Sequence, residues 1–465
     1  MKLYKPLLLI LGSLSLMVFM ASCSQSSAPS SASLDSQFAS VPAEEALERW
    51  QGALTQTTSV DDQDYIDLLL KRSKTKKGKW ENVSPRERGN GNKTGHDNQA
   101  LVTTESATDP IIMAHYMPWF QTPEESGYWG IHWTMANCNP DNQDASGRRE
   151  ICSHHYPLTG PYDSSDADLL EYHALLMKLS GIDGVFIDWY GTQNAFDWPV
   201  LKAATEKIMD TFDRYGLKYA IVYEDKTIEA ALHFNLIQDD IAAASADFQY
   251  LQTAVFTRSN YLHVNNQPLL LNFGPVHFDQ ASDWTSIFTS ASSTPHYQGL
   301  WSVSGLSDQF FSWIYNDSQF LPWFYSQVNS WDVSIGEAYP MFDDYYLEGG
   351  WSENLFELDS QNKTLFSQTF QEALAAGVQI IQLNTWNDFG EGTDIEPSIE
   401  NGYQYLTELQ SFTGVPFDQA DLEAATEFYF LRKRMADNGL ILGSSQAIIT
   451  ALLSGDSRTA SSLMQ

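Results

Sequence analysis

The stretch Gln379-Ile380-Ile381-Gln382-Leu383-Asn384-Thr385-Trp386-Asn387-Asp388-Phe389-Gly390-Glu391-Gly392-Thr393-Asp394-Ile395-Glu396-Pro397 decides how this chain is read. An apolar, strand-like run stops abruptly and delivers two carboxylates, Asp388 and Glu391, among aromatic, amide and glycine neighbours. Cleavage of glycosidic bonds uses such a pair, one carboxyl protonated and one ionised. Gly390 and Gly392 let the backbone turn sharply. Asn387 and Thr393 offer hydrogen bonds to hydroxyls, and Trp386 and Phe389 offer flat faces for sugar rings. Taken alone, D-x-x-E also fits an acidic surface loop, so the rest of the chain has to decide.

Trp386 to Pro397 resembles the signature shared by glycoside hydrolase families 71 and 99 and the bacterial group between them. These are endo-α-1,3-glucanases and endo-α-mannosidases. The first pattern reads W-N-D-aromatic-G-E and the second N-E-W-H-E-G-T-x-I-E-P. This sequence begins like the former, through Glu391, and ends like the latter, from Gly392. Upstream, Ala114 to Phe120, Gly130-Ile131-His132-Trp133, Tyr156 to Asp166 and Gly181 to Gly191 resemble segments of the mannosidase-type family. The resemblance spans roughly residues 108 to 415 and implies a (β/α)8 TIM barrel.

The chain's own patterning agrees with an α/β fold, because strand candidates alternate with amphipathic helical stretches. Strands are expected at Ile111–Tyr116, Gly184–Asp188, Tyr219–Tyr223, Pro268–Phe273, Leu300–Val303, Ser334–Ile335 and Gln379–Thr385. Helices are expected at Asp166–Leu179, Val200–Tyr215 and Asp418–Asn438. Chemistry in such barrels sits at the C-terminal strand ends. Those ends carry Tyr116 and Trp119; Asp188, Trp189 and Tyr190; Glu224 and Lys226; and Trp386, Asn387, Asp388 and Glu391. With His132 and Trp133 of the H-W element, they form the expected substrate-binding set around Asp388 and Glu391. The aromatic run Tyr339 to Tyr346 fits either a subsite or core.

Glu391 is the expected general acid, its pKa raised by an apolar setting and a neighbouring carboxylate, and Asp388 the general base. In the glucanase-type family this pair implies inversion through an activated water. In the mannosidase-type family the position of Asp388 holds Glu, which deprotonates the sugar 2-hydroxyl and gives retention through an epoxide. Asp is shorter by one C–C bond, roughly 1.5 Å, so inversion is the expectation. Neither route calls for a metal or organic cofactor. A rival from another class is a surface glycan-binding lipoprotein without turnover.

At 465 residues, 43% hydrophobic, the chain is long enough for one such barrel plus tails. Its 14 Trp and 22 Tyr suit a glycan binder, although large cores also consume aromatics. The formal net charge of −33 disfavours nucleic acid as a partner, and a neutral α-linked glycan is the expected substrate. Lys2 and Lys5 precede an apolar run, Leu7 to Met20, and then Ala21-Ser22-Cys23. That is the form of a secretion signal over residues 1–22, and it resembles a bacterial lipobox that would place a lipid on Cys23. Ser24 in the next position points to the outer membrane. A Ser/Ala-rich tether (23–41) and a helical or loop extension (42–108) follow, with a basic run from Lys71 to Lys79. The barrel is expected over 109–440 and a Ser-rich tail over 441–465, in a monomer. Cys138 and Cys152 are expected to form a disulfide in an oxidising compartment; the alternative makes Cys152, His154 and His155 metal ligands.

Overall fold

The computed structural model describes residues 109–289, 294–328, 330–440 and 442–465. The signal segment, Cys23, the tether and the extension to 108 lie outside the described residues. A compact unit runs from Pro110 to Gln465.

Its strands are β1 (Ile111–Tyr116), β2 (Gly184–Trp189), β3 (Lys218–Tyr223), β4 (His263–Val264), β5 (Gln267–Asn272), β6 (His296–Gly299), β7 (Ile335–Ala338), β8 (Phe342–Asp343), β9 (Glu357–Leu358) and β10 (Ile380–Leu383). One sheet holds the order β6–β5–β3–β2–β1–β10–β7, all parallel, with β4 antiparallel on β5. β8 and β9 pair separately. Parallel strands joined by helical crossovers are covered on both faces, so they read as continuous apolar runs. β2 and β10 are accordingly buried along their whole length.

The helix Ala167–Ser180 shows why the expected boundaries were readable. Asp166 caps it by accepting from the N–H groups of Asp168 and Leu169, and Gly181 closes it at φ 75°. The expected inner face of Leu169, Leu170, His173, Leu176 and Met177 is buried. The outer face is largely buried too, because helices Gln404–Thr413 and Gln419–Asp437 pack across it.

One expectation is corrected. The strand expected at Leu300–Val303 lies earlier, at His296–Gly299. There polar His296 and Gln298 alternate with Tyr297, while Leu300 and Val303 are buried in the turn beyond it. In the Ser-rich tail, whose structure the sequence left unspecified, helices Ser445–Leu453 and Ser457–Leu463 pack on each other and on Gln419–Asp437. Ile448, Leu452 and Ala460 supply their fully buried contacts.

The parallel ladder is open between β6 and β7 among the described residues. The intervening segment Phe310 to Ile314 touches β6 through a parallel bridge from Phe310 to Gly299, and Phe311 N–H donates to the Gly299 carbonyl at 3.0 Å.

Candidate active site

β10 lies between β1 and β7, and its C-terminal end runs into a closed turn. Thr385 N–H donates to the Thr393 carbonyl (2.8 Å) and Ile395 N–H returns to the Thr385 carbonyl (3.0 Å). Inside the turn, Asp388 N–H donates to Thr385 Oγ1 at 2.8 Å, and that hydroxyl meets Thr393 Oγ1 at 3.0 Å. Asp388 Oδ1 accepts from Glu391 N–H at 3.0 Å. Gly392 stands at φ 63°, and a Cβ there would sit 2.7 Å from the Asp343 carbonyl oxygen. The tip of the turn therefore needs glycine on two independent grounds.

Several motif residues pack around this turn. Asn387 is fully buried. Its Oδ1 accepts from Met117 N–H (2.8 Å), and its Nδ2 donates to the Met117 carbonyl (3.0 Å) and the Tyr162 hydroxyl (3.1 Å). Trp386 is also fully buried, its ring edge-on to His173. Tyr116 OH meets His173 Nδ1 at 2.9 Å, His173 Nε2 lies 3.2 Å from Glu396 Oε1, and Tyr162 donates to Glu396 Oε2 at 2.7 Å. Trp133 donates its Nε1–H to the Tyr162 carbonyl from a fully buried position. Trp189 is buried beneath Tyr250 in a stack at 5.9 Å. Tyr116, Trp133, Trp189, Trp386 and Asn387, expected to contact a sugar, are all buried, and Tyr116, Trp133 and Asn387 already hydrogen-bond within the protein.

Asp188, Tyr190, Glu224, Lys226, Asp388 and Glu391 lie within electrostatic reach of one another. Asp188, Glu224, Asp388 and Glu391 are all buried, none more than 8% exposed. Burial and the Glu224 and Asp388 charges push the Asp188 carboxyl well up. Burial lifts Asp388 to about 7, against the N–H groups of Glu391 and Gly390 that favour its anion. Burial and the Asp388 charge push Glu391 well above the usual range, with the Glu224 charge adding to the rise. Burial raises Glu224 to about 8 and lowers Lys226 to about 8, the charge of each favouring the ionised form of the other. Tyr190 feels Asp188, Glu224 and Asp388. Like charges this close cannot all ionise, so at least one carboxyl keeps its proton near neutrality. Trp119 is half-buried and lies flat on His132, with ring centroids 4.1 Å apart and planes within 4°. Burial lowers His132 to about 3, so it is neutral.

Three groups take places that sequence reasoning did not foresee. Tyr346 donates to Glu391 Oε1 at 2.9 Å; its signal was the aromatic run around it. His155 Nδ1 lies 2.7 Å from Asp394 Oδ1. Burial pulls His155 down, but the Asp394 charge and hydrogen bond outweigh it and hold His155 above its ordinary value. Glu396 and His173 form the buried link described above, and only the motif's length hinted at it.

Cys138 and Cys152 form a disulfide with Cα atoms 5.6 Å apart. Cys152 is thereby not a metal ligand, and among the described residues no group of three or more His, Cys, Asp or Glu is arranged to hold a metal ion.

No protein-family profile matches the chain. Two curated proteins, both named glycoprotein endo-alpha-1,2-mannosidase-like protein, do match. The Mus musculus protein is 21% identical over 337 residues, covering 62% of this chain and 69% of its own length. The Homo sapiens protein is 22% identical, covering 62% and 68%. Among solved structures, the GH99 endo-alpha-mannosidase from Bacteroides thetaiotaomicron superposes with a TM-score of 0.51 at 15% identity, covering 68% of this chain and 99% of that one. The fold is similar to that of a family 99 glycoside hydrolase. The resemblance to the family 71/99-like group, read first from the motifs, thus extends to the fold and to distant sequence relatives. A second structure of the Bacteroides enzyme, in complex with bis-tris-propane, gives the same TM-score of 0.51.

Proposed function

We propose that this protein is an endo-acting glycoside hydrolase of α-linked glycans, with Glu391 as general acid and Asp388 as general base. The observation that carries the proposal is the turn after β10, which holds both carboxyls buried and unequal. Glu391 is kept protonated by burial beside Asp388. Asp388 ionises near neutrality, helped by main-chain N–H groups. Such a split between neighbouring carboxyls is how acid and base roles are assigned.

In the proposed reaction Glu391 gives its proton to the glycosidic oxygen as the C1–O bond breaks. Asp388 takes a proton from water as the water oxygen bonds to C1, so the anomer inverts and one water is consumed. Asp188, Tyr190, Glu224 and Lys226 would bind sugar hydroxyls around the reacting ring, and the Trp119–His132 stack would offer a face to a sugar. The relatives named as endo-mannosidases favour α-linked mannan as the first substrate to try. The W-N-D-x-G-E half of the motif favours α-1,3-glucan as the second.

Around this site we place a (β/α)8 barrel in which Phe310 to Ile314 takes the eighth strand position, supported by its bridge to β6. The protein would act as a monomer tethered to the outer membrane through a lipid on Cys23, a reading supported by the signal-like start. Wild-type and Glu391→Gln protein should be incubated with α-mannan and α-1,3-glucan oligosaccharides and new reducing ends counted. Release by the wild type, lowered about 10²-fold or more in the variant, supports the proposal. Sugar binding without release by the wild type would favour the non-catalytic reading.

A further inference from the structure

We infer that Tyr346 is the positioning residue for the acid, fixing which oxygen of Glu391 carries the proton. The inference rests on the assignment of Glu391 as general acid. A carboxylic acid has two unlike oxygens: the carbonyl oxygen accepts, and the hydroxyl oxygen donates. The phenol of Tyr346 donates to Oε1 at 2.9 Å. Oε1 is thereby the accepting oxygen, and Oε2 is left to hold the proton that goes to the leaving group. Once the proton has gone, the same phenol stabilises the carboxylate that remains, through a charge-assisted bond.

The segment that carries the phenol is held on several sides. Asp343 N–H donates to the Glu391 carbonyl and Tyr345 N–H to the Gly390 carbonyl, each at 2.9 Å, so the Tyr346 segment runs alongside the catalytic turn. Tyr346 N–H donates to Asp344 Oδ1 at 3.2 Å. On the far side, Ala136 N–H donates to the Gly349 carbonyl (2.9 Å) and Asn137 Nδ2 to the Glu348 carbonyl (2.8 Å), which ties the segment to the disulfide loop. The side chain is buried, and burial keeps the phenol protonated, with the Glu391 carboxylate adding to this once it has given up its proton. A tyrosine needed only for packing would not require its hydroxyl on a carboxyl oxygen.

The test is Tyr346→Phe, which keeps the ring and removes the donor. On whichever of the α-mannan or α-1,3-glucan oligosaccharides the wild type cleaves, kcat should fall about tenfold or more with KM unchanged. Loss of a donor to the anion raises the Glu391 pKa, so the alkaline limb of the pH profile should move up by roughly one pH unit. On the matching α-glycosyl fluoride, whose leaving group needs little protonation, the loss should shrink to a few-fold. Incorporation of 3-fluorotyrosine at 346, a more acidic phenol, should move the limb the other way. An unmoved limb, or an equal loss on both substrates, overturns the inference.

One readout is independent of turnover. The 13C-carboxyl resonance of Glu391, assigned by its absence in Glu391→Gln, should titrate higher in Tyr346→Phe than in wild type. An unchanged titration overturns the inference even in an inactive protein, and Tyr346→Phe that fails to fold leaves the fluorotyrosine shift to decide. A wild type that cleaves no α-glycan would refute the proposed function and leave this carboxyl titration to judge Tyr346.

Discussion

Replacing Asp388 by Asn removes a charge while keeping the shape of the turn, because Asn Oδ1 can still accept from Glu391 N–H. Burial lifts the pKa of Asp388 in the folded protein to about 7, from an ordinary value of 3.8. A raised carboxyl pKa means that the folded state binds the proton more tightly than the unfolded state. The stability it contributes is full below about pH 4 and is lost as pH rises towards 7. A rise of that size corresponds to up to about 4 kcal/mol lost across that window. For a unit of this size that is a change in Tm of about 5 °C. Asp388→Asn should escape this loss. Its Tm relative to wild type should rise between about pH 4.5 and pH 8, while turnover falls about 10²-fold or more. Differential scanning calorimetry of both proteins across that range reads the effect directly. Parallel Tm curves for variant and wild type would refute the claim that Asp388 is ionised at a buried, disfavoured position.

Gly392→Ala should destabilise by roughly 2 kcal/mol or more, from its positive φ and the close Asp343 carbonyl. Gly402→Ala, at φ 57° with nothing near its Cβ, should incur only the backbone part; equal losses in urea melts would discount the close approach. Cys23→Ala should move the protein from the membrane fraction to the soluble one on ultracentrifugation, and unchanged fractionation would count against the lipid anchor.

Much of this was legible because burial on both faces leaves a continuous apolar mark. β1, β2, β3, β5 and β10 could be read from such runs, and Asp166 and Gly181 punctuated the helix between β1 and β2. β6 was displaced in the reading because His296 and Gln298 interrupt the apolar pattern, while the apolar Leu300 lies past the strand's end. Within the motif, sequence marked Asp388 and Glu391 but did not separate them from their supports. Asn387 and Trp386 have the composition of sugar-binding residues, yet their side chains are buried against Met117, Tyr162 and His173. Residue type carries no information about which way a side chain faces after a strand has ended. Tyr346 was harder still. It comes from the segment after β7 and reaches Glu391 only because β7 and β10 are neighbours in the sheet.

The most direct test of the proposed chemistry is the anomer first released from an α-linked substrate, followed by time-resolved proton NMR. Alpha-mannan oligosaccharides come first and α-1,3-glucan oligosaccharides second, with Glu391→Gln as the control. With Asp388 as a base acting through water, the β-anomer should form first and the α-anomer only by later mutarotation. A first-formed α-anomer would contradict the inverting assignment and point to the epoxide route. Absence of any product from either glycan would contradict the hydrolase reading itself.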